Sequence, residues 1–561
     1  MRNRIFLTAF FLLPLLSALL LWLAWPPLSG TLLVFIGFVP LLFAEELIEN
    51  NYTKNTQAKS WLAIFIGLLA WNLFTTWWVA NTYSGNHEIG SLIAGIFASL
   101  ANAALMTLPF MGYRYTKKRL GRHLGLIAFA AYWMVFEYVH LRWEFTWPWL
   151  NLGNVFALNH TWIQWYEYTG TFGGTLWVLL TNLIVYAQLR KMLFDKQEFD
   201  QFNFKNKYLP FVMVVLIIII PIIISKVMYT QQKDIGSPVN VTALQPNLNP
   251  YTEKFTLPFD VQLQKMIRLS SEGVTDSTDY LIWPETAIPH PIYLDEHDHS
   301  RPLKEVHTFI DSFPNLTTII GINGYEQYRT AADATVTSRE LINPKYKDTI
   351  WIDAYNTAIQ LDTSKRVEVY NKSKLVPGVE RMPYPGALHF LEFLAMDLGG
   401  ISGTLATQKE REVFFNKDSI GVATAICYES VFGEYVTRYI NNGANLIFII
   451  TNDGWWGNTA GHKQHCLYAK LRAIENRKSI ARSANTGTSC FINQRGDISQ
   501  ATDWEQDAVI NQTIYANNIK TFYDRNGDYI GRTAIWVAVF LFLLSFVSSR
   551  TDKFKFRVNK L

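Results

Sequence analysis

Residues 419–430 read SIGVATAICYES, an apolar run that ends at a cysteine. Small and β-branched residues in this run predict a buried strand, with Cys427 just past its carboxyl end. Layered α/β folds usually carry their chemistry at that end of a strand. Cys427 is therefore the first candidate for a reactive residue.

Two further strand-like runs end next to residues that can support thiol chemistry. The run 279–283 leads to Glu285, and the run 366–370 leads to Lys372. A carboxylate, a lysine and a thiol can together form and break acyl bonds. We expect the three side chains to meet at one edge of a layered domain.

The surrounding region, residues 235–515, has the sequence pattern of such a domain. Strand-like and helix-like patterns alternate along it, which is typical of a mixed α/β fold. Strands are expected at 239–245, 317–321, 357–361 and 445–451, and helices at 258–272 and 462–477.

The rest of the chain is strongly apolar. A membrane-spanning helix needs about 20 mostly apolar residues to cross a hydrocarbon core of about 30 Å. The sequence predicts seven such helices within residues 1–230 and an eighth within 528–549. Their runs are 5–25, 31–49, 61–81, 89–112, 124–141, 169–188, 209–228 and 530–548. The predicted fold class is thus a membrane helical bundle of about eight spans plus an α/β domain.

Two segments of the bundle need separate interpretation. The first run is expected to be an uncleaved anchor, because 23–27 is a poor signal-peptide cleavage site. The aromatic stretch 142–168 is broken by Pro148 and is expected to form a loop at the membrane interface, where Trp and Tyr are favoured. Trp143, Trp147 and Trp149 would lie near a lipid entrance or only anchor the bundle.

Lysine and arginine residues predict the orientation, because they favour the cytoplasmic side. In an eight-span topology five basic segments fall on one side, and the short opposite loops near 26–30 and 82–88 have no Lys or Arg. We therefore expect both termini, including the basic tail 550–561, in the cytoplasm and residues 235–515 outside it. The basic residues are Arg2, Arg4, Lys54, Lys59, Arg114, Lys117, Lys118, Arg119, Arg122, Arg190, Lys191, Lys196, Lys205, Lys207, Arg550, Lys553, Lys555, Arg557 and Lys560.

Five ionisable residues lie near the ends of the apolar runs: Glu45, Glu46, Glu137, His140 and Glu144. Charged groups inside a membrane often mark a functional path. Here their position favours side chains that extend to the interface.

Composition excludes several classes of function. A formal net charge of +4 over 561 residues does not indicate nucleic-acid binding. Three widely spaced cysteines form neither a disulfide framework nor a zinc site, and the sequence has no phosphate-binding loop. We expect no metal and no cofactor, and we expect Cys466 and Cys490 to be structural.

The chemistry of the candidate residues assigns their roles. A thiol is a weak nucleophile until it is deprotonated, so Cys427 needs a base or a nearby cation. Glu285 could take the proton, and Lys372 could stabilise a thiolate and then an oxyanion. Lys374 competes for the lysine role, because positions 372 and 374 share one face of an extended strand.

Several motifs together resemble one superfamily. The quoted segments are Trp283-Pro284-Glu285, Tyr370-Asn371-Lys372 with Leu375-Val376-Pro377, and Ile426-Cys427-Tyr428-Glu429. They look like the Glu-Lys-Cys triad of the nitrilase, or carbon–nitrogen hydrolase, superfamily. The run 451–457, TNDGWWG, and the residues His465, Arg472, Glu475, Arg477, Arg482, Asn485 and Gly487 continue the resemblance. Together with the spans, the motifs resemble those of the apolipoprotein N-acyltransferases.

The resemblance implies an αββα sandwich and a two-step, ping-pong acyl transfer. It implies Glu285 as the general base, Cys427 as the nucleophile and Lys372 as the oxyanion-stabilising cation. Two more glutamates, Glu380 and Glu429, would support the triad, and Tyr428 would help to shape the pocket. The chain departs from many relatives at 373–374, where the Lys-x-His step is absent, and at 378–379, where Gly-Val replaces Phe-Gly.

The resemblance also implies partners and a location. The acyl donor would be a phospholipid, typically phosphatidylethanolamine, and the acceptor a diacylglyceryl-modified apolipoprotein. The protein would be a multi-pass monomer of a bacterial inner membrane, with its catalytic domain in the periplasm. The apolar segment 384–396 would be an arm over the site or a core helix.

Two other functions compete with this one. A membrane-tethered amidase would keep the triad and use water as the acceptor, but small polar substrates need no access from a bilayer. A transporter or scaffold with a ligand-binding outer domain would not need the triad residues.

Overall fold

The computed structural model describes residues 2–82, 88–195, 204–342, 349–381, 383–384 and 405–549. The chain forms two compact units. The first comprises residues 1–77, 95–231 and 526–561, and the second comprises residues 78–94 and 232–525. The predicted basic tail 550–561 lies outside the described residues, as does the predicted arm 384–396 beyond Tyr384.

The first unit is helical. Its helices are α1 (Arg2–Leu7), α2 (Leu13–Ala24), α3 (Val39–Asn51), α4 (Thr56–Thr76), α5 (Glu88–Leu120), α6 (Arg122–His140), α7 (Tyr166–Thr169), α8 (Thr171–Phe194), α9 (Phe204–Gln231) and α15 (Tyr529–Ser548). A π-helical segment, Thr8–Leu12, joins α1 to α2, and a 3₁₀ turn at Thr31–Ile36 precedes α3. The 3₁₀ turn Trp77–Asn81, which follows α4, belongs to the second unit from Trp78 onward, as do residues 88–94 of α5. Because apolar side chains run round most of these helices, both their packed and their outward faces are apolar.

Seven helices in the described part of the chain are long and apolar enough to cross a membrane. They match seven of the eight predicted runs, and the predicted helical membrane bundle is confirmed as a fold class. The remaining run, 124–141, forms α6 but is not among the seven. This helix carries Arg122, Glu137 and two histidines, which lower its mean hydropathy.

The aromatic stretch 142–168 folds into short turns. They are 3₁₀ helices at Pro148–Leu150, Leu152–Ala157 and His160–Trp162, followed by α7. Every residue from Pro148 to Ala157 is buried within the first unit. Much of the predicted interfacial loop is therefore packed against protein.

The expectation that the glutamates of the spans extend to the interface is wrong for Glu45, Glu46 and Glu137, whose side chains are buried. Glu45 forms ion pairs with Arg114 and, at 2.6 Å, with Lys117. A carboxylate inside a helical bundle is stabilised by such partners rather than by reaching water.

Glu137 has neutral partners instead. Its carboxylate accepts hydrogen bonds from the Trp133 indole at 2.9 Å, the Thr175 hydroxyl at 2.7 Å and the Leu152 amide at 2.9 Å. The last contact joins α6 to the turn that begins at Leu152. Glu137 thus tethers the turns of the 148–157 stretch to the bundle.

The second unit contains two β-sheets. Its strands are β1 (Ser237–Gln245), β2 (Tyr280–Ile282), β3 (Ile288–Tyr293), β4 (Thr317–Tyr328), β5 (Arg339–Ile342), β6 (Thr349–Leu361), β7 (Val367–Asn371), β8 (Phe414–Phe415), β9 (Gly421–Ile426), β10 (Leu446–Thr451), β11 (Ile480–Ala484), β12 (Cys490–Ile492), β13 (Ile498–Ser499) and β14 (Ala508–Ala516). Its helices are α10 (Phe259–Gly273), α11 (Arg301–Ile310), α12 (Gly433–Asn441), α13 (Ala460–Asn476) and α14 (Phe522–Asn526).

One sheet has the strand order β14-β1-β2-β4-β6-β5, with β3 also paired to β4 and β7 to β6; the other has the order β13-β12-β11-β10-β9-β8. The pairs β1–β2, β2–β4, β9–β10 and β10–β11 are parallel, so several carboxyl ends meet at one edge of each sheet. The Tyr280 ring packs edge-on against Phe448, 5.2 Å between centroids, and joins the two sheets. Helices α10 and α11 contribute to the core of the first sheet. The predicted α/β sandwich is confirmed.

Candidate active site

Cys427 occupies a sharp turn between β9 and a 3₁₀ helix, Cys427–Val431. Its φ angle is +50°, a left-handed conformation that is uncommon for a residue with a side chain. Such backbone persists only where the surroundings hold it, and it clusters at functional sites. The Ser430 hydroxyl donates to the Cys427 carbonyl oxygen at 2.7 Å and helps to hold this turn.

Glu285 follows β2, and its buried carboxylate accepts three hydrogen bonds. The Lys372 ammonium donates at 3.0 Å, the Asn356 amide group at 2.7 Å and the Asn452 backbone amide at 3.0 Å. Because these donors come from three separate segments, the carboxylate is held in one orientation.

Lys372 lies just past β7 and is almost fully buried. Its ammonium nitrogen is 3.0 Å from a Glu285 oxygen and 2.7 Å from a Glu380 oxygen. Lys374 is placed differently, because its ammonium lies over the Phe432 ring at 4.9 Å from the centroid. The two lysines that the sequence left as alternatives are therefore in different environments, and Lys372 is the one beside the glutamates.

The charges of this cluster follow from burial and proximity. Burial opposes the charge on Lys372, but the Glu285 and Glu380 carboxylates outweigh it and raise its pKa well above the ordinary value. Burial also opposes the charge on Glu285, yet Lys372 and its hydrogen bonds lower the pKa of that carboxyl. At neutral pH the site therefore holds a carboxylate next to an ammonium group.

Cys427 is a thiol at rest. Burial and then the Glu285 carboxylate raise the pKa of Cys427, and Lys372 only partly offsets them. The Cys427 sulfur is thus within electrostatic reach of both charged partners. A thiol of this kind can react only if its proton leaves as the sulfur attacks.

Glu429 forms a second centre of hydrogen bonds beside the turn. Its buried carboxylate accepts from the backbone amide of Ile426 at 2.9 Å and from that of Ser373 at 2.7 Å. Three tyrosine hydroxyls also donate to it, from Tyr370, Tyr435 and Tyr439. Because Ile426 precedes Cys427 and Ser373 follows Lys372, Glu429 holds the two reactive segments together.

Tyr428 is buried next to Cys427, and its ring meets the Phe432 ring edge-on at 5.0 Å between centroids. This packing places an aromatic wall beside the turn. All six site residues expected from the sequence are therefore buried or half-buried around the ends of β2, β7 and β9.

A further network lies behind the Cys427 backbone. His465 Nε2 is 3.1 Å from the Cys427 carbonyl oxygen, and Nδ1 is 2.9 Å from an Asp453 oxygen. Arg482 donates to the other Asp453 oxygen at 2.7 Å. Burial opposes the charge on Asp453, but Arg482 and His465 outweigh it and keep its pKa far below the ordinary value. Through this network, side chains from α13 and β11 hold the carbonyl group of Cys427 in place.

The sequence did not identify Lys254, Asn356 or Asn452 as site residues. Lys254 is fully buried, and its ammonium donates to the Glu285 backbone carbonyl at 3.0 Å. Burial lowers the pKa of Lys254 to about 8, against the opposing effect of the Glu285 carboxylate. No short motif marks Lys254 or Asn356, and the run 451–457, which contains Asn452, gave that residue no role; each of the three reaches Glu285 from a different element.

Comparisons with known proteins match both units. A carbon–nitrogen hydrolase family model matches residues 240–523, and a model of the apolipoprotein N-acyltransferase N-terminal domain matches residues 17–184. The chain is 29% identical to an apolipoprotein N-acyltransferase of Chlorobaculum tepidum, over 96% of this chain and 97% of the relative. It is 26% identical to that of Geobacter metallireducens, over 96% and 95%.

Two solved structures of the nitrilase superfamily also align with the chain. One is the Nit3 protein of Saccharomyces cerevisiae, at 15% identity and a TM-score of 0.35, over 53% of this chain and 95% of that one. The other is a mutant amidase of Nesterenkonia, at 12% identity and a TM-score of 0.36, over 53% and 98%.

The buried ammonium of Lys254 predicts a stability that depends on pH. In the unfolded chain Lys254 has a pKa near 10.4, whereas in the folded protein its pKa is about 8. Below pH 8 the folded protein must bury the charged ammonium, and this lowers the free energy of unfolding. The penalty, on the order of 3 kcal/mol, disappears as the pH rises from about 8 to about 10. The unfolding free energy of the wild type should therefore rise through this window relative to Lys254→Met.

Chemical unfolding of both proteins at pH 7 to 10.5 measures this difference. The matched control is Lys304→Met, at an exposed position of α11, whose difference from wild type should stay flat. If the difference in unfolding free energy between wild type and Lys254→Met is also independent of pH, the predicted buried charge on Lys254 is refuted.

Proposed function

We propose that this chain, which belongs to the carbon–nitrogen hydrolase family and within it to the apolipoprotein N-acyltransferases, transfers a fatty acyl group from a phospholipid to the N-terminal amine of a lipoprotein. One observation carries the proposal: Lys372 bridges Glu285 and Glu380 beside the strained Cys427, in a chain with a helical membrane unit. A membrane unit gives such a site access to acyl donors that dissolve only in a bilayer.

In the first step, the Cys427 sulfur attacks the ester carbonyl of the phospholipid. Glu285 accepts the thiol proton, because it is ionised at rest and its charge acts on the Cys427 thiol. Negative charge then moves to the tetrahedral oxygen, where the Lys372 ammonium stabilises it. Collapse returns the proton to the leaving glycerol oxygen, and a thioester and a lysophospholipid result.

In the second step, the amine of a diacylglyceryl-cysteine attacks the thioester. Glu285 is again a carboxylate and accepts a proton from the amine. Cys427 leaves as a thiolate and regains its proton, while the acyl group remains on nitrogen as an amide. A thioester reacts with amines more readily than the original oxygen ester, so the cysteine intermediate suits this transfer.

The remaining site residues would act through these three. Glu380 holds the Lys372 ammonium at 2.7 Å. Glu429 keeps the segments of Lys372 and Cys427 together through backbone amides. Tyr428 shapes the pocket next to the nucleophile. We propose phosphatidylethanolamine as the typical donor.

Orientation in the membrane is part of the same proposal. We propose that both termini lie in the cytoplasm and residues 235–515 in the periplasm of a bacterial inner membrane, and the distribution of the basic residues supports this orientation. Residues 78–81, which follow α4, pack within the second unit: Trp78 donates to Gln464 at 3.2 Å and Asn81 to the Trp456 carbonyl at 3.1 Å. This packing supports the expectation that the loop after the third span lies on the same side as the catalytic unit.

Acyl transfer distinguishes this function from that of an amidase. Purified protein mixed with a phospholipid labelled in its acyl chain and a synthetic diacylated lipopeptide should yield labelled N-acyl lipopeptide. Cys427→Ala should reduce the yield by about 1,000-fold or more, on the order of the loss of a catalytic nucleophile, and Lys304→Met, at an exposed position of α11, should retain transfer. Labelled free fatty acid without labelled lipopeptide would favour the amidase.

The two lysines make separate predictions. Lys372→Met removes the charge between the two glutamates and should lower acylation of Cys427 by about 100-fold or more, as loss of an oxyanion-stabilising group does. Lys374→Met removes the cation over Phe432 and should change acylation by less than about threefold, because no contact with Glu285 is lost. The single-turnover rate of acyl-enzyme formation measures both, and the reverse order would assign the role to Lys374.

A further inference from the structure

Cys466 and Cys490 lie next to each other although they are on different elements. Cys466 is on α13 and Cys490 begins β12, and their sulfur atoms are 3.9 Å apart. Both side chains are buried. A disulfide would bring these sulfur atoms from 3.9 Å to a bond length of about 2.05 Å.

The surroundings of this pair are fixed by charge and by strand pairing. The guanidinium group of the buried Arg482 acts on both sulfur atoms, and Arg482 on β11 is the direct strand partner of Cys490 on β12. The hydrogen bond with Cys490, and then the charge of Arg482, lower the pKa of Cys466 against the effect of burial. The fold thus holds the two sulfur atoms in contact, as a disulfide between them requires.

We propose that Cys466 and Cys490 form a disulfide when the second unit folds in an oxidising compartment, and that this disulfide braces the network behind Cys427. The proposal rests on the periplasmic orientation given above, because disulfides form and persist outside the reducing cytoplasm. The oxidant is a disulfide-bearing protein oxidoreductase. Because both sulfur atoms are buried in the folded unit, the exchange takes place before α13 has closed over β12.

The exchange balances in two steps. The Cys466 thiolate attacks the disulfide of the oxidant, which forms a mixed disulfide and releases one thiolate of the oxidant. Cys490 then loses its proton and attacks the Cys466 sulfur, which releases the second thiolate of the oxidant. The protein loses two electrons and two protons, and the oxidant leaves as a dithiol.

The position of the pair explains what a covalent link would do. His465, the neighbour of Cys466, contacts both the Cys427 carbonyl and Asp453. Arg482, the strand partner of Cys490, donates to the same Asp453. A disulfide would therefore close a ring of contacts that runs from α13 through the carboxylate to β12. That ring of contacts holds the strained turn at Cys427 through its carbonyl group.

The redox state is read directly by mass spectrometry. Cells that make the full-length protein are quenched with acid, and the protein is denatured in N-ethylmaleimide without reductant and digested. We expect a linked peptide pair that contains Cys466 and Cys490, two hydrogen atoms lighter than the sum of the free peptides. Recovery of both cysteines with the maleimide attached would overturn the proposal.

A stability measurement tests the bracing role. Reduction of the wild type should lower the midpoint of thermal unfolding by about 5 °C, on the scale expected for loss of a native disulfide. The Cys466→Ala/Cys490→Ala double variant should be insensitive to reductant, and the single variant Cys490→Ala should leave Cys466 alkylated. A midpoint that reduction does not move would refute the bracing role.

Acyl transfer measured on the same preparation separates this proposal from the proposed function. A linked pair without transfer would contradict only the function, whereas transfer with both thiols free would contradict only the disulfide.

Discussion

The Lys372 ammonium between the buried Glu285 and the half-buried Glu380 is the interaction on which the site depends. Removing a charge from water is costly, and the buried charges of Lys372 and Glu285 are stable because each lies within hydrogen-bonding distance of an opposite charge. Loss of one partner would leave an uncompensated buried charge. The cluster thus keeps Glu285 ionised, as the proposed base requires, and holds a cation where negative charge would develop during the proposed acyl transfer.

Two other arrangements keep Cys427 at this cluster. Glu429 ties the backbone before Cys427 to the backbone after Lys372, so Cys427 and Lys372 are positioned by one carboxylate. In addition, His465 contacts the Cys427 carbonyl oxygen, and Asp453 contacts His465. A residue held at a positive φ requires such support on both sides. The fold therefore stores local strain at the turn where chemistry is proposed.

Much of this could be predicted from the sequence, because the signals were local. The apolar runs predicted the helical membrane unit, and the alternating patterns predicted the α/β sandwich, with helix 462–477 against the observed Ala460–Asn476. Contacts that join distant segments could not be predicted in this way. Lys254 reaches Glu285 from a separate loop, and Glu45 meets Arg114 from another helix, so neither pairing leaves a local pattern. For the same reason the glutamates of the spans were wrongly expected at the interface.

The central claim is that Cys427 carries the acyl group between donor and acceptor. Mass spectrometry of the protein after mixing with a phospholipid alone tests it most directly. We expect one added acyl group, located by digestion on the peptide that contains Cys427, and we expect it to disappear when a diacylated lipopeptide is added. An acyl group on another residue, or lipopeptide acylation by protein that never carries one, would contradict the claim.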